Sequence, residues 1–281
     1  MNYRHAYHAG NFADVVKHAL LIALLESLLG KDKPLSYVET HAGAGRYDLD
    51  SEAARRTGEA ANGIVRLQAC RGRSPLLDRY LDRVQACGPR GYPGSPWLAA
   101  GMLRETDAMH LCEWQDEEAR DLRRLFSDDP RVHVHRRDGY AALKALLPPH
   151  PRRGLVLIDP PFEEQSDEFS RIQAALATAL GRWPEGIHAV WYPIKLGREL
   201  QPFRRWLRAC PARSVLDVQV LIQPDTVPQR LNGSGMAILH PPWRFEERIA
   251  AWLPLLARTL AADGETGHVR MTWLRQATDS D

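Results

Sequence analysis

The chain has 281 residues, 44% of them hydrophobic and 26% charged, with a formal net charge of +2. That length can bury a large core and that balance excludes wholesale disorder, while the small net charge argues neither for nor against nucleic acid. No apolar run can span a bilayer, the best being Ala19 to Leu29 with Glu26 inside it, and no signal-peptide layout opens the chain, so a soluble, cytoplasmic protein is expected.

Asn11 reads as a helix N-cap with Asp14 in the first turn, and apolar residues recur from Val15 to Leu28 before Gly30 stops the helix. Leu35 to Thr40 reads as a short buried strand, followed by the small-residue turn His41 to Gly45. Residues 47–92 break the pattern: they are helical in periodicity around Gly63–Leu67 and Pro75–Val84 and hold no convincing strand. This stretch reads as a helical insertion, leaving 1–46 and 93–281 as the main domain. Ser95-Pro96 starts the next helix, with Ser95 as cap. Strands are then predicted at Ala108–Glu113, Val132–His135, Leu155–Ile158 and His188–Tyr192. They alternate with helices at Asp116–Phe126, Tyr140–Leu147, Asp167–Leu180 and Arg198–Ala209. Two β-rich runs, Val215–Ile222 and Gly235–Leu239, close the sheet with a reversed strand at one edge, and a helix near Glu246–Leu260 follows. The residues after about Arg275 read as a frayed polar tail. Such alternation predicts an α/β fold, a parallel sheet with helices on both faces.

Ligands of such sheets bind past the carboxyl ends of the strands. The first strand ends in a glycine turn containing Gly43, which lets the backbone approach a ligand. The second ends in Glu113, able to accept both hydroxyls of a ribose. The third leads to Asp138-Gly139, suited to an adenine amino group, and the fourth to Asp159-Pro160-Pro161-Phe162. The two prolines stop the strand and hold the Asp159 carboxylate and the Pro160 carbonyl as a rigid pair of acceptors. A nucleobase amine is a poor nucleophile because its lone pair is delocalised into the ring. Two acceptors on its protons free that lone pair, and Phe162 offers a face for the base, worth ~1–3 kcal/mol. The four cysteines form no CxxC pair, and the eleven histidines show no metal-ligand spacing, so no metal is expected. Arginine clusters such as Arg204-Arg205 with Arg208 read as solvated faces or as parts of a phosphate-tracking surface. His18 lies one helical turn after Asp14, so the residues alone allow either a structural pair with Asp14 or a pocket role.

Three runs resemble the RlmJ family of bacterial 23S ribosomal RNA adenine-N6 methyltransferases: Tyr3 to His18, Thr40 to Tyr47 and Tyr92 to Pro96. Asp159-Pro-Pro, Trp191-Tyr192-Pro193 and Ser234-Gly235-Met236 fit as well. The resemblance spans nearly the whole chain. It implies a Rossmann-like class I methyltransferase sheet with a small inserted helical subdomain, S-adenosyl-L-methionine as cofactor and 23S ribosomal RNA as partner. By position it implies that Lys17, His18, His41, Ser95, Glu113, Asp138, Gly139 and Asp159 line the cofactor site, that Asp159 receives the amine proton, and that Tyr3 meets the RNA. The family's tetrapeptide usually closes on tyrosine. Phe162 keeps the stacking face and lacks the hydroxyl.

Rival readings are a guanine-N2 RNA methyltransferase, a DNA adenine-N6 methyltransferase, a nicotinamide-dependent oxidoreductase and an inactive RNA-binding module. The oxidoreductase is disfavoured because Arg46-Tyr47-Asp48 follows Gly45, so the glycine turn lacks the full GxGxxG pattern. A monomer is expected.

Overall fold

The computed structural model describes residues 5–162 and 165–276. Helix α1 spans Phe12–Leu29, its first turn closed by Asn11, whose side-chain oxygen accepts from the Asp14 N–H at 2.9 Å. Almost every position from Phe12 to Leu25 is buried. A helix apolar around its girth must lie inside the molecule, and this one packs on the sheet and on several other helices. Strand β1 (Ser36–Glu39) follows, then β2 (Arg46–Asp48), α2 (Glu52–Thr57), α3 (Ile64–Leu67), α4 (Pro75–Ala86) and β3 (Gly91–Pro93). Next come α5 (Ser95–Ala100), β4 (Ala108–Glu113), α6 (Asp116–Leu125), β5 (Val132–Arg136), α7 (Gly139–Leu146), β6 (Gly154–Ile158), α8 (Gln165–Arg182) and β7 (Ile187–Ile194). The chain closes with α9 (Gln201–Ala209), β8 (Val215–Leu221), β9 (Gly233–Leu239), α10 (Phe245–Ala250), α11 (Leu253–Leu260) and β10 (His268–Arg275).

Eight strands form one sheet in the order β10-β8-β9-β7-β6-β1-β4-β5. The pairs joining β5, β4, β1, β6 and β7 are all parallel. Strands buried on both faces need continuous apolar runs, as in Gly154–Ile158. One face is covered around α1, through Leu20, Leu24, Tyr37, Leu111, Leu157 and Leu256. The other is covered by α7, α8 and α9, through Leu143, Val156, Ile172, Leu176, Val190 and Phe203. Among the described residues, no helix is long and apolar enough to cross a membrane.

The sequence reading needs correcting in several places. Of the two late β-rich runs the reversed one is β9, and it lies inside the sheet, antiparallel between β7 and β8. All of Gly233–Leu239 is buried, which an edge would not permit. The edge belongs to β10, which pairs antiparallel with β8 in a stretch where the sequence predicts no element. Its burial is only partial, so it has little apolar periodicity to read. The stretch read without strands carries two of three residues each, β2 and β3, paired antiparallel at its ends. The final helix is two, α10 and α11, because Pro254 in the first turn of α11 has no N–H to continue the earlier one. Gly94, not Ser95, caps α5. The Ser95 hydroxyl is engaged elsewhere.

Candidate active site

A cleft of about 290 Å³ opens past the carboxyl ends of β1, β4, β6 and β7. Its wall brings together Lys17 and His18 from α1, His41 and Gly43 after β1, Ser95 of α5, Glu113 ending β4, and Asp159, Pro160 and Phe162 after β6. These nine residues are spread over almost 150 positions of chain, and the parallel sheet collects them because each follows a strand end or faces one.

At the base of the cleft α1 presents a charge triad. Lys17 Nζ donates to Asp159 Oδ2 at 2.6 Å and lies 2.9 Å from Asp14 Oδ1. Asp14 Oδ2 also accepts from the Gly10 N–H at 3.0 Å and meets His5 Nε2 at 2.9 Å. Lys17 and Asp14 are both nearly inaccessible. Burial opposes charge on each, yet the mutual attraction prevails. The Asp14 and Asp159 carboxylates hold the Lys17 ammonium well above the ordinary lysine range. His5 and Lys17 hold Asp14 well below the usual carboxylate range. Asp14 therefore pairs with Lys17 and His5, not with His18.

The His18 ring turns instead towards two buried phenols. Its Nδ1 lies 2.9 Å from the Tyr92 hydroxyl and 3.2 Å from that of Tyr80, and the two hydroxyls are 2.8 Å apart. Burial, reinforced by the Lys17 charge, pushes His18 well below the usual histidine range, so its ring is neutral. Nε2 is buried without a hydrogen-bond partner while the residue lines the cleft. A buried ring nitrogen without a partner is costly.

Beneath the cleft Glu39 is fully buried, accepting from the Tyr37 hydroxyl at 2.8 Å and from Ser95 Oγ. Burial pushes its carboxyl up to about 8, even against those two hydrogen bonds. Glu113 is held by two backbone donors, the Gly43 N–H at 2.8 Å and the Gln115 N–H at 2.7 Å. Each carboxylate oxygen keeps one lone pair, enough for two ribose hydroxyls. Gly43 has φ +61° and a Cβ there would fall 2.2 Å from the Tyr47 hydroxyl, so this turn requires glycine. His41 Nδ1 lies 2.8 Å from Thr40 Oγ1, its ring meets Tyr140 edge-on at 4.9 Å, and burial pushes it down to about 4.

Asp138 and Gly139 are not part of this wall. Asp138 caps α7, accepting from the Ala141 N–H at 3.0 Å, and lies 3.5 Å from Arg171. Gly139 passes so close to β1 that a Cβ would lie 1.8 Å from the Thr40 carbonyl oxygen. Tyr3 lies outside the described residues. Phe162 is partly buried, its ring set edge-on to Phe169 at 5.3 Å and to Trp191 at 5.7 Å. Trp191 is fixed in turn by its Nε1–H, which donates to Ser234 Oγ at 2.9 Å.

Sequence reasoning missed several lining residues: His5, Asp14, Trp114, Trp191 and Lys195. Trp114 follows Glu113 and is 59% exposed, a large apolar side chain left open at a strand end. That neighbouring position was a usable signal. Tyr80 and Tyr92, which position His18, carried none, because nothing local ties them to α1. Among the described residues, no group of three or more His, Cys, Asp or Glu side chains could hold a metal ion.

A mainly parallel sheet with two reversed strands, β9 beside its last parallel pair and β10 at the edge, helices on both faces, and a carboxyl-end cleft carrying Glu113 and the Asp-Pro-Pro turn define a Rossmann-like class I methyltransferase. Residues 32–275 match the family model described as ribosomal RNA large subunit methyltransferase D, RlmJ. The chain belongs to that family. It is 40% identical over 278 residues to ribosomal RNA large subunit methyltransferase J of Escherichia coli (strain K12), covering 98% of this chain and 99% of that one. It is 37% identical over 279 residues to the protein of the same name from Haemophilus influenzae, with the same coverages. A crystallised protein from Legionella pneumophila str. Philadelphia 1 superposes with a TM-score of 0.85 at 33% identity, covering 95% of this chain and 98% of that one.

Proposed function

We propose that the protein transfers a methyl group from S-adenosyl-L-methionine to N6 of an adenine in 23S ribosomal RNA. The observation that carries this reading is the Asp159 carboxylate, set on a rigid Asp-Pro-Pro turn beside Phe162 and held from behind by Lys17. The names of the relatives support the ribosomal RNA target.

The cleft suits the cofactor. His18 Nε2 offers one unused hydrogen-bonding atom for its amino-acid end, and Glu113 keeps acceptor capacity for its ribose. Ser95 and His41 stand on the same wall. Asp138, which caps α7 close to His41, would act from the margin. We read residues 47–92 as an insertion that serves this site, since it supplies Tyr80 and Tyr92 to His18. When bound, the cofactor supplies an electrophilic methyl group on a sulfonium sulfur.

The chain's own groups do the remainder. The target adenine leaves its stack to enter the cleft. Phe162, packed edge-on against Trp191, receives its face. Lys17 occupies Asp159 Oδ2, which leaves Oδ1 and the Pro160 carbonyl for the two amine protons. The new N–C bond leaves the amine cationic, and the proton passes to Asp159 and on to solvent. Because these acceptors are already in place, little reorganisation accompanies the reaction.

The test is methyl transfer to protein-free 23S RNA, followed by digestion and identification of the modified nucleoside. N6-methyladenosine is expected. N2-methylguanosine, or methylation of DNA in preference to RNA, overturns the reading.

A further inference from the structure

A second cavity of about 300 Å³ adjoins the active-site cleft. The two share a wall in consecutive residues: Lys195 lines the cleft and Leu196 lines the second cavity. This cavity lies past the carboxyl ends of β7 and β8, on the same edge of the sheet as the cleft. Its polar lining is Arg198, Gln201, Arg204, Gln219, Thr226 and Arg270, with one acid, Asp225.

The floor is built rather than loose. Arg204 lies 2.9 Å from the buried Asp217 carboxylate, and Gln219 donates to the Tyr192 hydroxyl at 3.0 Å, which in turn donates to Asp217. Arg270 Nη1 is 2.5 Å from Asp225 Oδ2, and the Gly197 N–H donates to the Asp225 carbonyl at 3.0 Å. Both acids are thus neutralised by their own arginines. Two cations remain without a counter-charge: Lys195 and Arg198 are exposed, and among the described residues neither side chain has an ion-pair or hydrogen-bond partner. A rigid polar hollow with one uncompensated cation in its lining, Arg198, and another, Lys195, on the wall it shares with the cleft fits a phosphate and repels a further cation.

We propose that this cavity is a backbone subsite for the RNA: Lys195 and Arg198 each hold a phosphate beside the extruded nucleotide, and the strand leaves the cleft across the second cavity. The inference rests on the reading of the protein as an RNA methyltransferase. Phosphate contacts fix register on the nucleic acid without reading bases, which is what a cleft for one extruded base needs from its surroundings.

The test is equilibrium binding of a short single-stranded RNA carrying one adenosine, across a range of salt, for wild type, Lys195→Ala, Arg198→Ala and the double variant. Each lost phosphate contact lowers the steepness of log K against log salt by about 0.7, so the double variant should lose about 1.4. Arg213→Ala, ahead of the amino end of β8 and so at the other end of the strands from the cavity, keeps the wild-type slope. An unchanged slope in the double variant overturns the subsite, as does weaker binding without a change of slope. Methyl transfer to protein-free 23S RNA by the wild type is measured in parallel. If it fails, the underlying reading falls; if it succeeds while the slope stays constant, the subsite alone falls.

Discussion

Lys17 Nζ lies 2.6 Å from Asp159 Oδ2, joining residues 142 positions apart in the chain. The contact ties the central buried helix to the rigid turn that carries the proposed proton acceptor. Because Lys17 also holds Asp14, one ammonium serves two carboxylates in a nearly dry site. Lys17→Met strips the cation from both and should cost about 3–5 kcal/mol of stability, read by urea unfolding. Adding Asp14→Asn to Lys17→Met should recover part of that loss. A double variant no more stable than Lys17→Met would show that the two residues are not coupled.

Asp159→Ala removes the acceptor while leaving Lys17 paired with Asp14. Methyl transfer should fall by at least about 100-fold, with binding of S-adenosylhomocysteine still measurable by calorimetry. A variant working at the wild-type rate would remove Asp159 from the chemistry.

Phe162→Ala removes the stacking face, so kcat/KM for RNA should fall by about 10- to 100-fold, in line with a stacking contribution of ~1–3 kcal/mol. Phe162→Tyr restores the residue usual in the family and keeps the ring. It should work within a few-fold of wild type, since the edge-on contacts that hold the ring against Phe169 and Trp191 need no hydroxyl. A large gain in that variant would mean that stacking alone does not suffice.

Tyr92→Phe removes the nearer of the two hydroxyls that orient His18. The imidazole keeps its place in the core but loses its fixed direction. The Kd for S-adenosylhomocysteine should rise by about 5- to 10-fold, equivalent to roughly 1 kcal/mol for a lost hydrogen bond. Unchanged affinity, with only a lowered melting temperature, would reduce the phenols to a packing role.

Glu39 gives a pH signature. Its folded carboxyl titrates at about 8 against 4.5 for the ordinary group, so the native state binds the proton more tightly than the unfolded chain. The stability it contributes is full below about pH 4.5 and is lost as pH rises towards 8. Glu39→Gln, a permanently uncharged mimic, should flatten the stability curve between pH 5 and 8. Parallel curves for wild type and variant would show that Glu39 does not take up a proton in this range.

Much of the architecture was legible in the sequence because it rests on local patterns. The fully apolar α1, the continuous runs of β1, β6 and β7, and the Asn11 cap are written in consecutive residues. Glu113 and Asp159 could be found because strand ends can be found. Asp138 was read as a ligand residue from the same logic, and the structure gives its carboxylate to the α7 cap and Arg171. An Asp-Gly step serves a helix start or a ligand equally well, and only the surrounding surface separates the two. The place of β9 was not legible either, since two strands of similar composition can be ordered either way until the burial of both faces is known.

The sequence by itself determined the alternation that makes a parallel sheet, the strand ends that must face a ligand, and the rigid Asp159-Pro160-Pro161-Phe162 turn, because each depends on the backbone preferences of neighbouring residues. Only the tertiary structure decided which groups share one enclosed space. It gave Lys17 to Asp159, took His18 away from Asp14 and handed it to Tyr80 and Tyr92, and set Lys195 between two cavities. Those partnerships are long-range and electrostatic. They depend on which charged groups burial forces together, and no local pattern of residues carries that information.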